Sequence, residues 1–78
     1  MTVVFSGAGL AGIAIAKLFL QMGVGDIIMC DKNGILDSND PNATFAQKEM
    51  AQNTNKTGRK GALSDALVGA DAFVGVSA

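Results

Sequence analysis

The first third of the chain alternates a short apolar run with a segment of helical periodicity. Residues 2–5, Thr-Val-Val-Phe, are β-branched or aromatic and are followed by Ser6-Gly7, a pattern typical of a strand buried on both faces. Apolar side chains then recur at intervals of three and four, and Lys17 and Gln21 fall on another face, which predicts a helix. Gly23 is the predicted stop. The predicted apolar stripe consists of Leu10, Ile13, Ala14, Leu18 and Met22.

A second apolar run, residues 26–31, ends in a carboxylate and is short enough for a strand. A strand, a helix and a strand in this order predict a parallel pair joined by a right-handed crossover. Residues 32–42 are rich in Asn, Asp, Gly and Ser, which indicates a surface loop that leads to a helix start near Asp40-Pro41.

The rest of the chain carries weaker signals. A helix with a thin apolar stripe is predicted around Phe45, Lys48, Glu49 and Gln52, and residues 53–61 are polar and read as a loop. Leu63, Ala66 and Leu67 indicate a short helix ended by Gly69, and residues 72–76 are a further strand candidate. The predicted fold class is therefore α/β, a Rossmann-type parallel sheet with flanking helices, incomplete, with about three strands and two to three helices.

Composition and charge narrow the range of partners. The chain has 78 residues, 49% of them hydrophobic, and a net charge of -1. Because its six basic residues are scattered, no basic stripe favours nucleic acid or an anionic membrane surface as a partner. The apolar run from Ala8 to Leu20 is interrupted by Lys17, and its glycines have the spacing of a phosphate-binding loop. A membrane span is therefore not expected.

Cys30 is the single cysteine, and the chain has no histidine. A catalytic thiolate needs a nearby base or cation, so Cys30, at the end of an apolar run, is interpreted as a small buried side chain. An unpaired cysteine fits a reducing compartment, and we expect a cytoplasmic protein. A chain this small that has neither disulfides nor metal-spaced clusters also leads us to expect that further parts of the protein are missing.

The candidate chemistry lies in the loop Gly7-Ala8-Gly9-Leu10-Ala11-Gly12. This spacing is weak evidence alone, but here it follows a predicted strand and opens a predicted helix. Gly7 permits the sharp turn, Gly9 allows the backbone to approach a pyrophosphate, and Gly12 allows close packing of the helix. The N–H groups at Gly9, Leu10 and Ala11 then face an anion at the positive end of the helix. A bare structural turn is the alternative interpretation.

Asp31 follows Gly12 by about 20 residues and ends the second predicted strand, as the dinucleotide fingerprint requires. Its carboxylate is placed to accept hydrogen bonds from the adenosine ribose and to repel a 2′-phosphate, so NAD is preferred. Lys32 is able to attract a 2′-phosphate, which keeps NADP open. The alternative is that Asp31 is a solvated carboxylate at a strand end.

Val76 and Ser77 come directly after the last predicted strand. They belong to the carboxyl edge of the predicted sheet, where ligands bind in folds of this kind, so we predict that they line the cofactor site. An ordinary strand end is the competing interpretation.

Three separated blocks of the sequence resemble the NAD-binding domain of bacterial-type malic enzymes. They are residues 6–16, residues 27–34 and residues 63–78, and the resemblance is weakest over residues 36–60. It implies that residues 1–78 are a partial NAD(P)-binding Rossmann domain truncated at both ends, with the last strand beside the first. It also implies oxidative decarboxylation of malate to pyruvate and carbon dioxide by a homo-oligomeric parent enzyme that uses Mg or Mn.

The catalytic residues of that family do not map onto this chain. They are a tyrosine acid, a lysine base and metal-binding carboxylates that precede the glycine loop, whereas this sequence has no tyrosine and only a few residues before Gly7. No catalytic and no metal-binding residue is therefore assigned here. Three alternatives stay open, namely a malolactic enzyme, another dehydrogenase such as an amino-acid or shikimate type, and a nucleotide-binding module without chemistry of its own.

Overall fold

A computed structural model describes residues 1–76 and shows one sheet flanked by helices. The elements are β1 (Thr2–Ser6), α1 (Leu10–Gln21), β2 (Asp26–Asp31), β3 (Gly34–Ile35), α2 (Phe45–Asn53), α3 (Leu63–Leu67) and β4 (Ala72–Gly75). The predicted α/β class is confirmed, and the three strands expected from the sequence, β1, β2 and β4, pair in parallel. Within the described residues the sheet has four strands because β3, which lies in the predicted surface loop, adds a short antiparallel edge to β2.

The strand order is β3-β2-β1-β4, which makes β1 the central parallel strand. Val4 lies opposite Ile28 of β2 and Phe73 of β4, both in parallel register. The side chains of Val3, Val4 and Phe5 are fully buried, as predicted for a strand that is covered on both faces. The expected position of the last strand beside the first is therefore confirmed.

Alternate residues of β1 and β2 point to opposite faces of the sheet, and each face has its own helical cover. On one face, α1 and α2 pack over a core in which Phe5 meets the ring of Phe19 edge-to-face at 5.5 Å between centroids. On the other face, α3 covers a smaller cluster through Ala66. The larger core consists of Val3, Phe5, Ala8, Ile13, Ala16, Ile27, Met29, Leu36 and Met50, and the smaller of Val4, Ile28, Cys30 and Ala66.

Helix α1 ends close to the predicted stop, but the predicted apolar stripe is wrong. Gly23 has a positive φ of 82° just beyond the helix, as expected. The fully buried residues of α1 are Gly12, Ile13 and Ala16, whereas Leu10 is 84% exposed and Met22 72% exposed. Ala14 and Leu18 are exposed as well. Because α1 is apolar on nearly all sides, the spacing of its apolar residues does not indicate which side is buried. The buried side contains Gly12 and Ala16, whose small size allows the helix to lie close to the sheet.

The segment after β2 was predicted as a surface loop, but part of it is buried against the rest of the protein. Gly34 and Leu36 are buried, and α2 begins at Phe45, later than the start predicted near Asp40-Pro41. The Asp37 and Asp40 side chains accept hydrogen bonds from Asn39 N and Asn42 N, so these residues form turns and do not start the helix.

The polar loop that follows α2 is attached to both neighbouring layers. Asn55 has a φ of 54°, and its backbone N–H donates to Ile27 O of β2 at 2.8 Å. The Asn55 side chain donates to Arg59 O at 2.7 Å and accepts from Arg59 N at 3.0 Å. The guanidinium of Arg59 donates in turn to the carbonyls of Ala66 and Val68 at the end of α3. The loop therefore joins β2 to α3.

Candidate functional site

The turn between β1 and α1 is held by two glycines that have no room for a side chain. Gly7 has a φ of 113°, and its N–H donates to Cys30 O at 2.8 Å. A Cβ at Gly7 would collide with Val76 O, and a Cβ at Gly12 would collide with Gly7 O. The backbone ends of β1, β2 and β4 therefore approach one another at this turn only because glycine is present at these two positions.

Gly9 differs from both neighbouring glycines. Its φ of -77° and ψ of -175° are accessible to any residue, and apart from Gly9 and its two chain neighbours no described residue has an atom within 4 Å of the position that its Cβ would take. The fold of residues 1–76 therefore has no steric need for a glycine here. The space above Gly9 opens to the outside, where a ligand is able to approach the backbone directly.

The start of α1 presents unpaired N–H groups beside Gly9. The first hydrogen bond of the helix runs from Ile13 N to Gly9 O at 3.0 Å, and within residues 1–76 the N–H groups of residues 9–11 have no acceptor. The first turn contains no acidic side chain, and no side chain caps it. These N–H groups and the helix dipole favour an anion at this position.

A crevice of about 500 Å³ lies at this turn, along the carboxyl ends of β1 and β2 and beside the residue that follows β4. The structure thereby brings together six of the predicted site residues and adds two others. The lining consists of Ser6, Gly7, Ala8, Gly9, Asp31, Lys32, Gln47 and Val76. Three predicted residues are not part of the lining: Leu10 and Ala11 are exposed beside it, and Gly12 is buried beneath the turn. Ser77 lies outside the described residues.

Asp31 ends β2 at the wall of this crevice and is half-buried. One of its carboxylate oxygens accepts a hydrogen bond from Asn33 N at 2.8 Å, which holds the side chain in place and leaves the other oxygen for a ligand. Lys32 is exposed at the same rim. A carboxylate and an ammonium group therefore flank the crevice where a ribose or its 2′-phosphate would lie in the predicted complex.

Cys30 is buried next to this wall, with its side chain in the smaller core cluster. Burial raises the pKa of the Cys30 thiol, and the adjacent charge of Asp31 raises it further. The thiol is therefore protonated at neutral pH and is a poor nucleophile, in agreement with its interpretation as a small buried side chain.

Gln47 is a residue of the crevice that the sequence analysis missed. It lies in the first turn of α2, where the Thr44 hydroxyl accepts from Gln47 N at 3.1 Å and Gln47 Oε1 accepts from Thr44 N at 3.0 Å. Gln47 Nε2 donates to Ala8 O at 3.0 Å and so connects α2 to the glycine turn. The spacing Thr-x-x-Gln is a capping-box pattern, and this signal would have indicated both the true start of α2 and the fixed orientation of Gln47.

A second crevice, of about 570 Å³, lies on the other side of Asp31, between the loops after β2 and after α2. Several polar groups that line it, among them Asp37, Asp40 and Asn55, are hydrogen-bonded within those loops. Nowhere in residues 1–76 do three side chains of the types that bind metals come together. None of the helices in this part of the chain combines the length and the apolar composition that a bilayer crossing requires.

The fold and the crevice define a class: an α/β protein with a glycine-rich strand-to-helix turn that faces a crevice at the carboxyl edge of its parallel strands. No family model matches the chain. It is nevertheless 47% identical over 76 residues to the bifunctional malic/malolactic enzyme of Bacillus subtilis and 45% identical to the NAD-dependent malic enzyme of Geobacillus stearothermophilus. The chain is homologous to a segment of NAD-dependent malic enzymes. The aligned region is 96% and 97% of this chain but 18% and 16% of those two proteins.

Solved structures agree with this relationship. The crystal structure of the NAD-dependent malic enzyme from Thermotoga maritima superposes on the whole chain with a TM-score of 0.89 at 41% identity. That of a putative malic enzyme (malate oxidoreductase) does so with a TM-score of 0.90, also at 41% identity. The chain spans about a fifth of each, 21% in both cases. The resemblance to malic enzymes is thus confirmed.

Proposed function

We propose that this chain is the cofactor-binding segment of an NAD(P)-dependent malic enzyme that prefers NAD and converts malate to pyruvate and carbon dioxide. The observation that carries the proposal is the contrast among the three glycines of the turn: Gly7 and Gly12 are required by the fold, whereas Gly9 faces open space beside unpaired N–H groups. A glycine that the fold does not need, placed next to anion-binding groups, is explained by close approach of a pyrophosphate. The homology to malic enzymes supplies the substrate class.

In this proposal each part of the crevice has a role in binding. The N–H groups of residues 9–11 donate to the pyrophosphate, Asp31 accepts from the ribose hydroxyls, and Val76 lines the opposite side. Lys32 attracts a 2′-phosphate when NADP is bound. The dinucleotide, when bound, accepts the hydride from malate. This chain contributes affinity and orientation of the cofactor, because the two ionisable groups that line its crevice, Asp31 and Lys32, are assigned here to the ribose and the 2′-phosphate.

The remaining catalytic groups and the Mg or Mn of the reaction belong, in this proposal, to further parts of a longer, homo-oligomeric cytoplasmic enzyme. Large exposed apolar side chains on the described surface support the existence of such parts, since contact with other protein would remove them from water. Leu10, Met22, Phe45 and Phe73 are each more than half exposed, at 84%, 72%, 83% and 52%. Strand β4 also leaves one edge of the described sheet unpaired.

The isolated chain tests this part of the proposal. We expect residues 1–78 alone to bind NAD poorly and to unfold over a broad temperature range, whereas the full-length enzyme melts sharply and binds the cofactor. Calorimetry and NAD titration of both proteins provide the comparison. A sharp cooperative transition of the monomeric isolated chain would contradict the proposed dependence on further parts.

A substitution at Gly9 tests the cofactor site itself. In the full-length enzyme, Gly9→Val is expected to fold normally and to weaken NAD binding on the order of a hundredfold, because its side chain fills the space through which the pyrophosphate reaches the backbone. Isothermal titration gives the affinity, and thermal melting confirms the fold.

The matched control is Gly23→Ala at the other end of α1, where a Cβ also meets no described atom within 4 Å. It is expected to lower the melting temperature, because of the positive φ, and to leave NAD affinity unchanged. Wild-type NAD affinity in Gly9→Val would remove the basis of the proposed function.

A second candidate function is the malolactic reaction, which converts malate to lactate and carbon dioxide. The name of the Bacillus subtilis relative includes both activities, which favours this candidate over other dehydrogenases. Product analysis of the full-length enzyme with malate and NAD separates the two, since pyruvate with NADH indicates the malic reaction and lactate without net NADH the malolactic one.

A further inference from the structure

The hydrogen bond between α2 and the glycine turn is not explained by helix capping. Gln47 Oε1 already takes part in the cap through Thr44 N, at 3.0 Å. Its other end, Nε2, points away from α2 and donates to Ala8 O at 3.0 Å. Gln47 and Ala8 are 39 positions apart in the chain. The amide of Gln47 is thus held at both ends and fixes one peptide group of the turn relative to α2.

That peptide group is the one that carries the Gly9 N–H. In a trans peptide the C=O of one residue and the N–H of the next point in opposite directions in one plane, and cis bonds are absent from the described chain. The Ala8 side chain is buried in the larger core, which anchors the other side of the residue. Rotation of the peptide between Ala8 and Gly9 would break the hydrogen bond from Gln47 to Ala8 O, so this bond favours the observed orientation.

Rotation of this peptide would matter for an anion. It would redirect the Gly9 N–H and turn the carbonyl oxygen of Ala8, which carries partial negative charge, into a different position at the turn. A preorganised donor is worth more to a bound anion than one that must be reoriented on binding. Gln47 also lines the same crevice, so its donor group lies at the site where the orientation of the turn has its effect.

We propose that Gln47 is a positioning residue that holds the Ala8–Gly9 peptide in the orientation needed to bind the pyrophosphate of the dinucleotide. This inference rests on the proposed function, because it assigns a role within the same crevice. The helix α2 then serves two purposes: it covers the core through Met50, and its first turn presents the amide that orders the turn.

The test uses variants of the full-length enzyme that separate the two ends of the amide. Gln47→Met keeps the length of the side chain and removes both hydrogen bonds. Gln47→Glu keeps an acceptor for Thr44 N, removes the donor to Ala8 O, and adds a negative charge. Thr44→Val removes the hydroxyl that caps Gln47 N but leaves the Thr44 backbone N–H that holds Gln47 Oε1, so it is the control for the stability of α2.

The ligands are chosen to locate the effect. NAD and ADP-ribose contain the pyrophosphate, and adenosine does not. We expect Gln47→Met to weaken binding of NAD and ADP-ribose equally, by about three- to tenfold, and to leave adenosine unchanged. Gln47→Glu should weaken the first two further because its charge repels phosphate. For NAD the change should appear in KM, with kcat within about twofold of wild type.

Each outcome supports or overturns the inference. Thr44→Val should lower the melting temperature and leave the KM for NAD unchanged. If Gln47→Met weakens adenosine and NAD in proportion, or if Thr44→Val raises the KM as much, Gln47 acts only through the stability of α2 and the inference is wrong. If Gln47→Met does not fold, Gln47→Glu replaces it with the Thr44 contact retained, and NAD and ADP-ribose binding are then compared with wild type at high salt, where the added charge is screened. Wild-type binding by both Gln47 variants, with loss of binding in Gly9→Val, overturns this inference alone, whereas wild-type binding in Gly9→Val overturns the proposed function.

Discussion

The turn at residues 6–12 and the segment at residues 32–61 border the same crevice but are built in different ways. The turn is defined by local chemistry, in which glycines at fixed spacing permit a positive φ, a close approach of backbones and an open N–H face. The later segment is defined by contacts with distant elements, such as Asn55 with β2 and Gln47 with the turn. Short-range constraints are visible in a sequence, whereas long-range contacts become visible only in the folded chain.

The largest loss of stability is expected from a substitution that disrupts the glycine turn. Gly12→Ala places a Cβ against the carbonyl oxygen of Gly7, and both are backbone positions that have little freedom to move. We expect destabilisation of about 3 kcal/mol, the upper end of what overpacking costs, and loss of cofactor binding as a consequence. Denaturant unfolding of the full-length enzyme measures it. Wild-type stability in Gly12→Ala would show that the turn is less constrained than its geometry indicates.

The next effect concerns the loop after α2. Asn55→Ala removes two hydrogen bonds to the Arg59 backbone and leaves a residue with a Cβ at a φ of 54°. We expect a loss of about 2 kcal/mol, part from the hydrogen bonds and part from the strained backbone. Asn55→Gly is the matched variant, since it loses the same hydrogen bonds without strain, and it should be less destabilised in urea. Equal losses would assign the whole effect to the side-chain hydrogen bonds.

The third expected effect is a change in cofactor preference when Asp31 is replaced. We expect Asp31→Ser to shift the ratio of kcat/KM for NAD to that for NADP by about tenfold in favour of NADP, because the repulsive charge and the ribose acceptor are removed. Steady-state kinetics with both cofactors gives the ratio. Lys32→Ala in the same background should reverse part of the shift if Lys32 contacts the 2′-phosphate. An unchanged ratio in Asp31→Ser would place the ribose elsewhere.

The smallest effect belongs to the surface contact between α1 and α2. Lys17 Nζ lies 3.4 Å from Glu49 Oε1, and both side chains are about half exposed, at 52% and 46%. Exposed ion pairs contribute little, so a double-mutant cycle with Lys17→Ala and Glu49→Ala should give a coupling of about 0.5 kcal/mol or less. A larger coupling that survives high salt would show that this pair orients α2, and with it Gln47, more strongly than the exposure of the two side chains suggests.

Much of the architecture was predictable because its signals are local. The apolar runs of β1 and β2 indicated buried strands, and Gly23 and Gly69 marked the ends of α1 and α3 through their positive φ values. The glycine spacing and the position of Asp31 pointed to the edge of the sheet where the crevice lies. The start of α2 differs from the prediction near Asp40-Pro41, because the capping pair Thr44 and Gln47 begins the helix several residues later.

The sequence by itself determined the succession of β1, α1 and β2, the place of the glycine turn and the position of the carboxylate at the end of β2, because backbone preferences and hydrophobic periodicity act between near neighbours. Only the tertiary structure decided which face of α1 is buried. The helix is apolar on nearly all sides, and the face with the small residues Gly12 and Ala16 is the one that packs closely against the sheet. It also decided that Gln47 meets Ala8, because a hydrogen bond across 39 positions depends on how α2 packs against the turn.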